Sequence, residues 1–330
     1  MNAAEKLIVI GTSTGGISAL QQLLGTLPAD LPAAVLVTMH LADHDSILPS
    51  LLAPYTRLDI RFARENEVIK AGTVLIAPPG KHLLIDKGRV NLIRGAKENY
   101  SRPAIDPFFR SAAISHRRNT IGVVLTGDLD DGTVGLQAIK ACGGLAIVQD
   151  PADAEAPSMP SSALQYVDPH YCLPLSGIGT QILRLLGQPA VEPAALEAAA
   201  AMLEAVHAEN EFCLDGGMTS VERMDSIAKR APLSCPECSG GLWEMSAKPL
   251  RYRCHTGHCY TAKTMRDSQD EALEAAVWSV LRALQEKKVL LSRLQREASH
   301  EGQHEAAADY QRSVDHLQTK ALTLKKLMVG

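Results

Sequence analysis

The chain has 330 residues, 46% of them hydrophobic and 21% charged, a make-up ordinary for a soluble globular protein with one substantial α/β domain and smaller units. Its formal net charge of -4 gives no electrostatic reason to seek nucleic acid or an acidic membrane. No apolar stretch approaches the ~20 residues needed to span a bilayer, and MNAAEKLIVIG lacks the regions of a secretory signal, so a cytoplasmic chain without membrane insertion is expected.

From Lys6 to about Gly187, short β-rich runs alternate with helical patterns. The runs are LIVIG (Leu7–Gly11), AVLVTM (Ala34–Met39), TVLIAP (Thr73–Pro78), TIGVVLTG (Thr120–Gly127) and LAIVQ (Leu145–Gln149). Helical stretches are expected over Ile17–Leu24, Asp106–His116 and Thr133–Ala141. Near-continuous β-branched runs separated by helices predict a doubly wound parallel sheet, α/β in class, over residues 1–187. KHLLID and RVNLI, separated by Lys87-Gly88, predict a β-hairpin inserted in that pattern.

A composition break at Gly187-Gln188-Pro189 opens a stretch, residues 188–231, expected to be a linker with an alanine-rich helix (Ala194–Ala208) and one narrow apolar face of Leu196, Leu203 and Val206. A compact Cys/His segment follows over 232–262. Residues 263–330 read as an antiparallel helical hairpin that turns near His300–Gly302. Its apolar stripes are Leu273, Val277, Val280, Leu284, Leu291 and Leu294, then Val314, Leu317, Leu324 and Met328, an internal seam rather than a partner-binding face.

In a doubly wound sheet, chemistry gathers at the carboxyl ends of the strands. Three ends carry suitable groups: Ser13 in Thr12-Ser13-Thr14-Gly15-Gly16, His40 after AVLVTM, and Asp130-Asp131 after TIGVVLTG. Singly, each has a plainer reading: a helix N-cap, a structural histidine, turn and capping acids. The glycine spacing fits neither a dinucleotide fold nor a P-loop. Together the three groups meet what a hydroxyl nucleophile requires. A histidine takes the serine proton, an acid fixes the imidazole tautomer, and amides at a helix start face the developing oxyanion. The order Ser, His, Asp and the lack of G-x-S-x-G separate the chain from the common α/β-hydrolase superfold.

IGTSTGG, VTMH and LTGDLDDGTVG resemble the IGASTGG, QHM and LTGMGxDGAxG motifs of the chemotaxis protein-glutamate methylesterases, the CheB type. RPAIDPFF, IAPPGKH and Met159-Pro160 resemble further blocks of that family, and the resemblance covers roughly Lys6–Gly187. It implies hydrolysis of glutamate γ-methyl esters on the methylated helical region of chemoreceptors, with deamidation of glutamines in some members. It implies Ser13 as nucleophile, His40 as general base and Asp131 as orienting acid, with no cofactor for catalysis and a Thr14 amide in the oxyanion site. Asp128-Leu129 stands where the family has Met-Gly. An acid facing the site would repel an oxyanion, and leucine disfavours positive φ, so lowered activity or altered substrate choice is expected there. The family's usual receiver domain has no counterpart before the first strand, so regulation through a receiver of its own is not expected.

Four of the seven cysteines crowd residues 235–259. The spacing C-x₂-C-x₁₅-C-x₃-H predicts a structural Zn2+ held by Cys235, Cys238, Cys254 and His258, with Cys259 and His255 as substitutes. Four protein ligands make such a site closed, and so small a ribbon depends on its metal to fold. The module resembles C-terminal extensions of stand-alone methylesterase-like proteins. The competing reading of the whole chain is a non-catalytic adaptor on a retired esterase fold. A third keeps the hydrolase and changes its substrate to another protein ester or amide.

Overall fold

A computed structural model describes residues 4–188 and 200–329. The first elements are β1 (Lys6–Thr12), α1 (Gly16–Gly25), β2 (Ala33–Met39), α2 (Leu48–Leu52), β3 (Asp59–Phe62), β4 (Thr73–Ile76), β5 (His82–Asp86) and β6 (Arg89–Ile93). They continue through α3 (Ile105–His116), β7 (Thr120–Val124), α4 (Thr133–Ala141), β8 (Leu145–Gln149), α5 (Ser158–Val167), β9 (Tyr171–Leu173) and α6 (Leu175–Leu186). Seven of these strands form one parallel sheet in the order β3-β4-β2-β1-β7-β8-β9. The expected hairpin is β5-β6, antiparallel and separate from that sheet.

Alternation along β1 builds both layers. Leu7 and Val9 face Ile105, Phe108 and Phe109 of α3, together with Leu136 and Ile139 of α4 and Met159 and Ala163 of α5. Ile8 and Ile10 face Leu20 and Leu23 of α1, Leu48 and Leu52 of α2, and Ile178 and Ile182 of α6. The central strands are buried throughout, which is why they read as unbroken apolar runs. The edge strands β3 and β9 are short and only partly covered, so their sequences carry little signal. The order of strand addition reverses between the parallel neighbours β1 and β7, and the crevice beyond their carboxyl ends lies there.

After residue 200 come α7 (Ala200–Leu214), α8 (Val221–Ile227), β10 (Lys229–Ser234), β11 (Gly241–Ala247), β12 (Leu250–Cys254) and β13 (Cys259–Thr261), the last four a sheet in that order. The first part of the expected alanine-rich helix, with Leu196, lies outside the described residues. Its described part, in α7, is no free linker: Val206 joins the core under α3, and Glu209, Phe212 and Cys213 are buried.

Glu209 receives Arg251 of β12 at 2.6 and 3.1 Å and lies 3.5 Å from Arg110 of α3. Glu98 receives Arg110 at 2.7 Å and Arg253 of β12 at 3.2 Å. Two acids and three arginines are thereby buried where the small sheet meets the large domain. Residues Met1–Met265 form one compact unit and Arg266–Gly330 another. The second consists of most of α9 (Ala262–His300), with α10 (His304–Val329) antiparallel to it through Lys288 and Gln318. Its seam buries Leu281, Ala298, Ala307, Val314 and Leu317, whereas Leu273 and Val280 of the expected stripe are 66% and 49% exposed. The Met328 side chain lies outside the described residues. No described helix is long and apolar enough to cross a membrane.

Burial alone would raise the Glu98 carboxyl, but Arg110 and then Arg253 hold it well below the usual range. Burial likewise opposes Arg251 and Arg110 at Glu209, which is lowered to about 2. An acid lowered in the folded state stabilises the fold above its unfolded pKa and stops doing so as pH falls through its folded value. The urea midpoint of the full chain should therefore drop between about pH 4.5 and 2. A midpoint flat through that window would contradict the pairing.

Candidate active site

Ser13 follows β1 directly, and its amide donates to the Thr126 carbonyl beyond β7 at 3.0 Å, tying the two central strand ends together. Gly15, at φ 75°, turns the chain into α1, whose N-terminus has no side-chain cap. The Thr14 and Gly15 amides therefore have no protein acceptor among the described residues. Gly127 approaches Ser13 from β7: a Cβ there would lie 2.9 Å from that of Ser13 and would collide with the Met159 sulfur.

His40, at the end of β2, places Nδ1 3.1 Å from Ser13 Oγ and Nε2 2.7 Å from Asp131 Oδ2. An ionised carboxylate only accepts, so the imidazole proton belongs on Nε2 and the Nδ1 lone pair faces the serine. The ring is partly open, at 23% side-chain exposure, while Asp131 is sealed at 1%.

Asp131 is the most heavily bonded group of the site. Its Oδ2 also takes the Ile105 amide at 2.7 Å. Its Oδ1 takes Asn99 Nδ2 at 2.7 Å and the Asp106 and Gly132 amides at 3.0 and 2.9 Å. Two of these donors belong to the first turn of α3, so the carboxylate caps a helix from outside it. Burial would raise this acid. The His40 hydrogen bond and charge, with the Ile105 and Asn99 donors, hold it below the usual range. Asp106 returns the exchange, accepting the Gly132 and Gly135 amides at the start of α4 at 3.0 and 2.7 Å. Burial first, and then the Asp131 charge, push the Asp106 carboxyl up.

Two neighbours of this network were not distinguished by sequence reasoning. Asn99 donates to both Asp131 and Asp106, each at 2.7 Å. His82, within IAPPGKH, bridges the Ala96 carbonyl from Nε2 at 2.9 Å and the Ala104 amide at Nδ1 at 3.2 Å, with burial lowering its pKa. Only their place beside RPAIDPFF and IAPPGKH could have signalled them. Asp130 turns away from His40 and accepts the Thr261 hydroxyl at 2.7 Å. Asp128 is exposed and takes the Thr14 hydroxyl at 2.6 Å, so water screens its charge. Leu129 adopts φ 63°.

The Sγ atoms of Cys235, Cys238 and Cys254 and a ring nitrogen of His258 lie within 4.8 Å of one another and could hold a metal ion. Cys238 Sγ is 3.8 Å from Cys254 Sγ, and His258 Nδ1 is 3.7 and 3.6 Å from Cys235 and Cys254. A tetrahedron with ~2.3 Å bonds has edges of about 3.8 Å, so the donor set fits. Glu237 lies 3.4 Å from His258 Nε2, the outer partner a ligating imidazole requires. Cys259 and His255 stand outside the group: Cys259 contacts Arg251, and His255 packs edge-on against Trp243.

A hydroxyl, an imidazole and a carboxylate in hydrogen-bonded series at the switch point of a doubly wound sheet make a site of serine-hydrolase type. Residues 8–182 match the model of the CheB methylesterase family, and the chain belongs to that family of ester hydrolases. It is 41% identical over 180 residues to a putative protein-glutamate methylesterase/protein-glutamine glutaminase of Leptospira interrogans, covering 54% of this chain and 93% of that one. It is 40% identical over 164 residues to protein-glutamate methylesterase/protein-glutamine glutaminase 2 of Anaeromyxobacter dehalogenans, covering 49% and 48%. The crystal structure of the Thermotoga maritima CheB methylesterase catalytic domain superposes with a TM-score of 0.52 at 34% identity, over 55% of this chain and 98% of that domain.

A side chain in the left-handed region costs roughly 1–2 kcal/mol, against roughly 0.5–1 kcal/mol for the extra freedom glycine loses on folding. Leu129→Gly should therefore raise the melting temperature of the full chain by about 1–2 °C. A lower melting temperature would show that the leucine side chain outweighs its backbone.

Proposed function

We propose that the chain is a cytoplasmic protein-glutamate methylesterase, hydrolysing glutamate γ-methyl esters on the helical region of a chemoreceptor-like protein through Ser13, His40 and Asp131. The series from Ser13 Oγ through His40 to Asp131, at 3.1 and 2.7 Å, carries this reading. Ser13 Oγ attacks the ester carbonyl carbon as its proton passes to His40 Nδ1. The carbonyl oxygen takes up negative charge beside the Thr14 amide at the start of α1. Asp131, ionised and turned by its five donors, stabilises the imidazolium through Nε2 without taking the proton itself. His40 then protonates the departing methoxide, giving methanol and a glutamyl ester on Ser13. Water, deprotonated by His40, attacks that ester and releases the glutamate carboxylate and the serine. With glutamine as substrate the same steps release ammonia, in keeping with the double name of the relatives.

Incubation with methyl-labelled receptor, with methanol followed, tests the assignment. Ser13→Ala and His40→Ala should each lower release by on the order of 10³-fold or more. Equal release from Ser13→Ala and the unaltered chain would sink the triad. Fluorophosphonate labelling at Ser13 that is lost in His40→Ala would count against the adaptor reading, which the hydrogen-bonded series already disfavours.

The Cys/His module is read as a zinc site, closed by four protein ligands and structural in purpose. Among the described residues, the core beside the knuckle is small, with Cys235, Leu242, Cys254, Tyr260 and Met265 buried and Trp243 packed with Phe212 and Met224 on its far side, so the ribbon leans on its metal to fold. The purified chain should carry a single zinc ion by elemental analysis, and Cys254→Ser should lose it. Full retention in that variant would overturn the ligand set.

A further inference from the structure

The small sheet meets the large domain at the turn that carries Asn99. Residues 98–101 close on themselves, Glu98 N–H to the Ser101 carbonyl at 3.3 Å and Ser101 N–H to the Glu98 carbonyl at 3.0 Å. Asn99 and Tyr100 between them lie at φ 50° and 64°. Two successive residues with side chains persist in that region only where their surroundings hold them. β13 is one such support. The Asn99 amide donates to the Cys259 carbonyl at 2.8 Å and the Cys259 amide to the Lys97 carbonyl at 3.2 Å, a parallel bridge between 98 and 259. Two residues on, the buried Thr261 hydroxyl bonds Asp130, the residue before Asp131. One strand thus grips both supports of the triad carboxylate: the Asn99 turn that donates to it and the loop that carries it.

We propose that the Cys/His module braces the triad acid, that Asn99 and Thr261 are positioning residues acting through Asp131, and that metal at Cys235, Cys238, Cys254 and His258 thereby sets the rate at which Ser13 is acylated. The proposal rests on the triad reading. His258 directly precedes Cys259, and Cys254 ends β12, whose Arg253 pairs with Cys259. A metal joining Cys254 and His258 to the 235–238 knuckle allows the 254–258 turn a single geometry, so the Cys259 carbonyl and the Thr261 hydroxyl arrive at fixed places. Release of that turn unseats Asn99, whose Nδ2 holds Asp131 and Asp106 together. Asp131 then loses a donor and its alignment with His40.

The test uses the full zinc-loaded chain, with three readouts: fluorophosphonate labelling rate at Ser13, kcat and KM for methanol release, and the low-field proton resonance of the His40–Asp131 hydrogen bond. Thr261→Val keeps shape and zinc but removes the hydroxyl. It should lower kcat about tenfold with KM within about twofold, while Thr261→Ser behaves as the unaltered chain. Asn99→Ala should lose up to about 100-fold, the scale of an ångström of misplacement. Removing zinc by chelation should slow labelling at least about tenfold and broaden the resonance away, and adding zinc back should restore both. Thr261→Val and the zinc-free chain with unchanged labelling and an intact resonance would overturn the brace. Labelling that persists in Ser13→Ala would remove the triad reading instead. In that case the effect on Ser13 acylation falls with the triad, and the resonance decides only whether the module positions Asp131: lost without zinc, the positioning stands, and kept, it falls too.

Discussion

The Asp131 carboxylate is the constraint on which the rest of the site depends. Five donors converge on two oxygens: one imidazole, one side-chain amide and three backbone amides. They come from four different parts of the fold. Ile105 and Asp106 are the open end of α3, Gly132 is the start of α4, Asn99 is a turn 32 residues upstream, and His40 is the end of β2. Asp106 completes an exchange in which each helix start is capped by an acid adjoining the other. Neither helix can shift along the sheet without stranding a buried charge, which costs far more than a neutral contact. The orientation of the His40 imidazole is therefore set by helix packing. The Ser13 side chain, with one bond to His40, is the lightly held partner.

The same logic governs the meeting of the small sheet and the α/β domain. Apolar residues could fill that volume at similar or better stability, since desolvating five charges offsets much of their mutual attraction. What an apolar filling lacks is register. Arg253 must face Glu98, and Arg251 must face Glu209, so β12 has one seat. β13 pairs with β12 through Arg251–Thr261 and Arg253–Cys259, so a seated β12 helps place Cys259 and Thr261. These charge pairs fix the register of β12 beside the Asn99 turn, whose backbone is held in a conformation that residues with side chains rarely adopt.

The strand ends bearing Ser13, His40 and Asp131 were legible because buried parallel strands are written as apolar runs, and the three side chains that meet in the hydrogen-bonded series stand one to seven residues beyond them. Asn99 and Asp106 were not legible as part of the site. Their roles come from contacts with Asp131, 25 or more residues away, and nothing local marks an asparagine that donates to two acids. β3 and β9 escaped because edge strands are short and half-covered. The alanine-rich helix read as a linker because its one narrow apolar face hid the charged residue, Glu209, by which α7 is anchored. In the terminal hairpin, the choice between Val280 and Leu281 turns on one residue of helical phase, and a four-and-three spacing does not resolve it.

The departure at Asp128-Leu129 can now be placed. A carboxylate beside the Thr14 backbone is poorly sited for chemistry that builds negative charge there. Its charge is exposed, however, and its nearest bond is to the Thr14 hydroxyl rather than to an amide. In water-like surroundings a unit charge a few ångströms away is worth roughly 1 kcal/mol or less, a modest penalty for the proposed chemistry. The same bond fixes the Thr14 side chain, and with it the residue whose amide opens α1. Leu129 bears the other cost, a left-handed backbone where glycine would be unstrained, and the loop tolerates it because both flanks are anchored: Gly127 against Ser13 and Met159, Asp130 and Asp131 in their hydrogen-bond networks. The substitution changes the rim of the site and leaves the hydrogen-bonded series from Asp131 to Ser13 intact.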